Sequence, residues 1–244
     1  MTMDVPQYIA ASRCWEAPVR YTWDDWDLEL FESPVDESLL ERLEGLSQRA
    51  NVAWCIACAE WICHRLTPHL DGDLLPFLRL EAAWAQVVDA RYSFALTDPP
   101  ERWAGPIKRP VLRSLELVDF AVDAADRDDD PASVGAAIAR LADHLMADPS
   151  PLRAWQVAVL ERLEVLYPFD PDESLGDVVP REALDPERTF DPHQTQVLVA
   201  NLLSDLSRSD NPFLLTRQEM LERGFQGVPY LFDIQADRDR RFRW

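Results

Sequence analysis

Lysine is almost missing from this chain. Of 24 basic residues set against 44 acidic ones, a single residue, Lys108, is lysine. Phosphate contacts need clustered Lys and Arg, so the shortage argues against direct nucleic-acid binding. The one basic cluster, residues 238–243, is diluted by Asp239 and follows Asp237, and it suits docking onto the protein's own acids. Glycine is scarce too. Seven glycines leave no Gly-rich loop to cradle a phosphate and no Gly-x-Ser-x-Gly nucleophile elbow. Long apolar runs are lacking: the strongest, residues 52–63, is interrupted by Glu60 and is far too short to span a bilayer. The first residues show no basic stretch followed by an apolar one, so no secretory signal is expected. The four cysteines, Cys14, Cys55, Cys58 and Cys63, are too few for a disulfide scaffold in 244 residues. A reducing, cytoplasmic setting is the expectation.

What is present is acid on a hydrophobic frame. The formal charge is −20, whereas small domains usually carry a magnitude of roughly 2–8. Such an excess costs stability by self-repulsion and asks for a counterweight, such as a basic partner or a high-salt environment. Hydrophobic residues make up 47% of the chain, with nine Trp and ten Phe, which excludes a disordered acidic tail. Arg in place of Lys, with abundant Ala and Asp, is consistent with a GC-rich bacterial source.

Nineteen prolines fall mostly between periodic segments, as punctuation between helices does. Alternating β-branched runs are nearly absent. The spacing predicts helices over 34–46, 51–66, 74–94, 107–125, 132–146, 152–166, 193–206 and 216–223. The second is apolar on almost every face and should be the buried centre. Thr216 and Glu219 are spaced as a capping box. Two stretches lack periodicity: an aromatic N-terminal arm, residues 1–34, and residues 167–192, an acidic, proline-rich loop expected on the surface. The expected architecture is all-α: one helical domain over 1–244, an irregular bundle of about seven to nine helices.

Metal and catalytic constellations are weak. Cys55, Cys58, Cys63 and His64 would all come from one helix, and Cys63 lies about 80° from Cys55 around its axis. Zinc sites draw paired ligands from turns instead, so buried structural thiols are the expectation. Glu60-x-x-x-His64 is one residue too long for the Glu-x-x-His of di-iron bundles and has no second copy. Glu60 is expected to pair with an arginine or with His64. His69-x-Asp71-x-Asp73 reads as turn chemistry after Pro68, and neither His144 nor His193 sits in a triad setting. No metal, cofactor or catalytic residue is assigned.

The acids themselves are clustered. Residues 24–44 hold nine acids and one base, residues 170–191 eight acids and two bases, and residues 123–130 five acids and one base. In the first cluster, acids alternate with aromatics: Trp23-Asp24-Asp25-Trp26-Asp27. Aromatic anchors are enriched at binding hot spots, and surrounding charge steers the encounter. The candidate partner-binding residues are therefore Trp23, Asp24, Asp25, Trp26, Asp27 and Glu29, with Asp170, Asp172, Glu173 and Asp177. The expected class is an acidic binding protein that neutralises a basic protein partner, as an immunity protein (antitoxin) blocks a bacterial toxin or effector domain. The alternative is an enzyme of an all-helical kind working through Glu60, His64, Glu81 or Asp89 in the bundle.

Overall fold

The structure, a computed structural model, describes residues 5–25, 27, 36–93, 100–206 and 211–224. Among them are nine α-helices and no strand: α1 (Gln7–Ala10), α2 (Glu37–Glu44), α3 (Gln48–Leu66), α4 (Leu75–Val88), α5 (Gly105–Asp126), α6 (Ala132–Leu145), α7 (Ser150–Leu166), α8 (Thr195–Leu206) and α9 (Arg217–Glu222). The all-α architecture is the one the apolar periodicity predicts.

Helix α3 is the axis of the fold. Every residue from Gln48 to Leu66 is buried, and α4, α5 and α6 pack around it. It begins three residues before the expected Asn51, because Ser47 accepts the Ala50 N–H as an N-cap. Aromatic rings fill one side of the core. Trp155 of α7 stacks on Trp54 at 5.3 Å and on Tyr8 of α1 at 5.4 Å. Cys55, Cys58 and Cys63 are fully buried here, and burial pushes their thiols up, as small apolar residues rather than nucleophiles.

Local chemistry sets the helix ends. Asp36 caps α2 by accepting from Ser38 and Leu39 N–H, while the start expected at Ser33-Pro34 lies outside the described residues. Helix α4 stops at Val88, well short of Phe94, because Asp89 turns extended and its carboxylate accepts the Arg91 N–H. Thr216 and Glu219 form the predicted capping box of α9.

Both aperiodic stretches carry more order than their composition suggests. The N-terminal arm opens with the one-turn α1, which buries Tyr8 and Ile9. The stretch 167–192 divides in two. After the buried Tyr167, its first part is mostly exposed and acidic, whereas Val178, Val179, Ala183, Leu184 and Asp185 are buried in or against the core around a 3-10 turn, Arg181–Leu184.

Candidate acidic interface

Part of the arginine complement is turned inward. Arg65 and Arg79 are among the largest fully buried side chains, and Arg49 is buried as well. Three arginines donate to main-chain carbonyls. Arg49 donates to Val88 and Gly176, and Arg65 to Ala17, Pro18 and Leu145. Arg162 donates to the carbonyls of Ala183, Asp185, Pro186 and Arg188, which fastens the inserted half of the loop to α7. Guanidinium forks suit this multiple donation, and the compact lysine ammonium does not. Arg65 and Arg162, used this way, pair with no carboxylate among the described residues.

The outer half of the loop is pinned across the N-terminus of α3. Gln48 and Arg49 N–H, two donors a helix start leaves unsatisfied, bond to the carbonyls of Ser174 and Leu175 at 3.0 and 3.1 Å. Gly176 has φ +71°, and a Cβ there would sit 2.3 Å from the Ser47 Cβ, so only glycine lets the chain lie this close. The loop then meets the turn between α5 and α6. One carboxylate oxygen of Asp128 accepts from Ser174 Oγ at 2.6 Å and from Gln48 Nε2 at 3.1 Å. On the other side, the chain at 167–169 runs antiparallel to the end of α2: Phe169 N–H bonds to Gly45 O at 2.8 Å and Ser47 N–H to Tyr167 O at 3.0 Å.

Three acid-rich segments thereby become neighbours. Exposed Glu37, Glu41 and Glu44 stand on α2, exposed Asp170, Asp172, Glu173 and Asp177 on the loop, and exposed Asp126, Asp128, Asp129 and Asp130 at the turn. Carboxylates gathered at the start of α3 also face the positive end of its macrodipole. Arg42 of α2, the nearest base on that helix, is engaged by Glu164 in a two-pronged ion pair of 2.6 and 3.0 Å.

The aromatic arm lies elsewhere. Asp25 accepts the Gly105 N–H at 3.1 Å with one oxygen and Trp23 Nε1–H at 2.6 Å with the other, so it caps the start of α5. Trp23 packs against the core, and Asp24 and Asp27 are exposed. Trp26 and Glu29 lie outside the described residues. The 22 residues of α5 span about 33 Å between this cap and the turn that carries Asp128. The described candidate residues therefore do not form one patch: Asp170, Asp172, Glu173 and Asp177 lie together, and Trp23, Asp24, Asp25 and Asp27 sit at the far end of α5. Of the residues that join the acidic segments, Ser174 and Gln48 carry no local signal in the sequence, and Asp128 stands out only as one of the acids of 123–130.

A second titratable cluster lies inside the bundle. Glu60 on α3 accepts from Trp84 Nε1 (2.8 Å) and pairs with Arg181 (2.6 Å) through one oxygen, and accepts from Tyr8 OH (2.8 Å) through the other. The expectation that Glu60 finds an arginine holds, and the arginine comes from the inserted loop. Arg181 also lies over the Trp84 ring at 6.0 Å. Burial pushes the Glu81 carboxyl up, against the pull of Arg181, and pushes His64 down to about 4. His64 packs on Phe77, at 5.0 Å between ring centres. Among the described residues no three His, Cys, Asp or Glu side chains are arranged to hold a metal ion, and no helix is long and apolar enough to cross a membrane.

No protein-family model matches the chain, and neither a curated protein nor a solved structure is significantly similar to it.

Proposed function

We propose that the chain is an acidic cytoplasmic binding protein that neutralises a basic protein partner, in the manner of an immunity protein that blocks a bacterial toxin. One observation carries the reading: acids from α2, the 170–177 loop and the 126–130 turn stand side by side, tied by the Ser174–Asp128 bond and the Phe169–Gly45 pairing. A field of one sign raises the rate of encounter with an oppositely charged surface and disfavours other partners. Seated over a cationic cleft, the acids would take the place of an anionic substrate. The enzyme alternative has less behind it, because both Glu60 oxygens are engaged by Tyr8, Trp84 and Arg181, and Asp89 holds Arg91.

The test is capture followed by inhibition. Basic proteins from the source are retained on the immobilised full chain at low salt and eluted with a salt gradient. The activity of each is then titrated with the chain. Stoichiometric loss of a captured protein's activity, relieved by D126N/D172N/E173Q/D177N, is the expected result. Captured proteins that stay fully active at saturation would sink the reading.

A further inference from the structure

The inward face of α7 is built from Leu152, Trp155, Val159, Leu160 and Leu163, all buried. Val157 and Val165 belong to the opposite phase of the same helix. They are 51% and 78% exposed, and Glu161 stands one turn from each, so the three form one outward stripe. Three residues past the end of α7, Phe169 is 47% exposed. Single exposed apolar side chains are ordinary. Here, however, three of the large exposed hydrophobics among the described residues fall within positions 157–169, and acids border them. The Phe169 N–H is bonded to Gly45, next to Glu44, and Asp170 follows Phe169 directly. Phe120, exposed on α5, differs: the Arg113 guanidinium lies over its ring at 5.7 Å.

We infer that Val165 and Phe169, with Val157, form the apolar anchor of a docking surface whose occupant is a basic protein presenting an apolar side chain ringed by Lys or Arg. This deepens the proposed function and rests on it. Charge selects the occupant. A second copy would bring its own charge of −20 against the same acids, and an anionic lipid surface would be repelled in the same way. Bases near the stripe are engaged: Arg162, on α7 itself, by four main-chain carbonyls, Arg42 by Glu164, and Arg153 by Asp143 at 2.6 Å. The division of labour follows from the physics. Acids set the approach rate and its salt dependence, whereas desolvated apolar contact at the centre sets residence time.

The experiment compares two helical peptides of equal length and charge, one of lysine and leucine and one of lysine and alanine, binding to the full chain at physiological salt. The lysine–leucine peptide should bind about tenfold tighter or more, a span that burying one or two apolar side chains readily gives. V165S/F169S should reduce it to the level of the lysine–alanine peptide, while V197S, at an exposed valine on α8, should leave both affinities unchanged. D170N/D172N/E173Q should weaken both peptides. If the two peptides bind alike and both weaken in the charge variant, the anchor is wrong and the acidic-binding reading stands. If neither peptide responds to the charge variant, the reading falls with it. Thermal melts of each variant keep a folding defect from passing as a binding one.

Discussion

Ser174 donates its hydroxyl to Asp128 across 46 residues of chain, at 2.6 Å. The same Asp128 oxygen takes the Gln48 amide, so one carboxylate ties the 126–130 turn, the acidic loop and the start of α3 together. Like charges are thereby held close at a helix N-terminus, where the backbone offsets part of their repulsion. The acidic face is a built feature of the fold, and its supports can be removed one at a time.

Gly176 is the first support. Alanine there must adopt a left-handed φ and would overlap Ser47. G176A should destabilise the protein by about 2–4 kcal/mol, combining backbone strain with overpacking. Urea unfolding measures the loss. A variant as stable as the parent would mean that the loop does not lie on α3.

Glu60 fastens α1, α4 and the inserted loop to α3. E60A leaves Arg181 without its counter-charge and orphans Tyr8 OH and Trp84 N–H, so a cost of about 3–5 kcal/mol is expected. E60Q keeps the shape and two of the hydrogen-bonding roles, and should cost less. Both variants remove the charge, so the difference between them reports the hydrogen bonds and packing; an E60Q variant as stable as the parent would contradict the ion pair.

His64 makes stability pH-dependent. It is buried neutral, with its pKa lowered to about 4, while the unfolded chain takes up a proton near 6.5. Below pH 6.5 the unfolded state therefore binds more protons, and stability falls as pH drops from 6.5 towards 4. The loss approaches about 3 kcal/mol by linkage. Glu81 acts in the opposite sense: its raised carboxyl pKa favours the folded state at acid pH, and that contribution is lost as pH rises through the raised value. H64Q should flatten the slope between pH 6.5 and 4 in denaturant titrations. An unchanged slope would place the acid sensitivity elsewhere.

Asp25 separates scaffold from surface. Because it caps α5, D25A should lower stability by about 1 kcal/mol in thermal or denaturant melts. D24N and D27N, at exposed positions, should each cost less than D25A. If D25A melts like the parent, the carboxylate does not serve as a cap.

The helical frame was legible because its signals are local. The apolar run of α3, the Thr216–Glu219 box and the stripes of α5 to α7 lie within a few turns of chain. Arg181 and Glu60 are 121 positions apart, and nothing near either residue names the other. The inserted half of the loop hid behind its prolines and acids, since Val178 and Val179 are too short a run to announce burial. Val157 and Val165 are legible as apolar residues in the polar phase of α7, but their exposure is masked by the stronger inward stripe of the same helix. Nothing local distinguishes Asp25 the cap from Asp24 and Asp27 beside it, because capping depends on where Gly105 comes to rest.

The most direct measurement compares where charge is removed, at equal amount. D126N/D172N/E173Q/D177N, on the joined acidic face, and E16Q/D24N/D27N/D71N, at the opposite end of α3 and α5, each take the formal charge from −20 to −16. Stopped-flow association with the lysine–alanine peptide is followed across ionic strength. Slower association with a flatter salt dependence in the first variant, and near-parental rates in the second, is the expected result. Equal slowing in both would mean that net charge alone governs the encounter, and that the face joined by Asp128 and Ser174 has no special part in it.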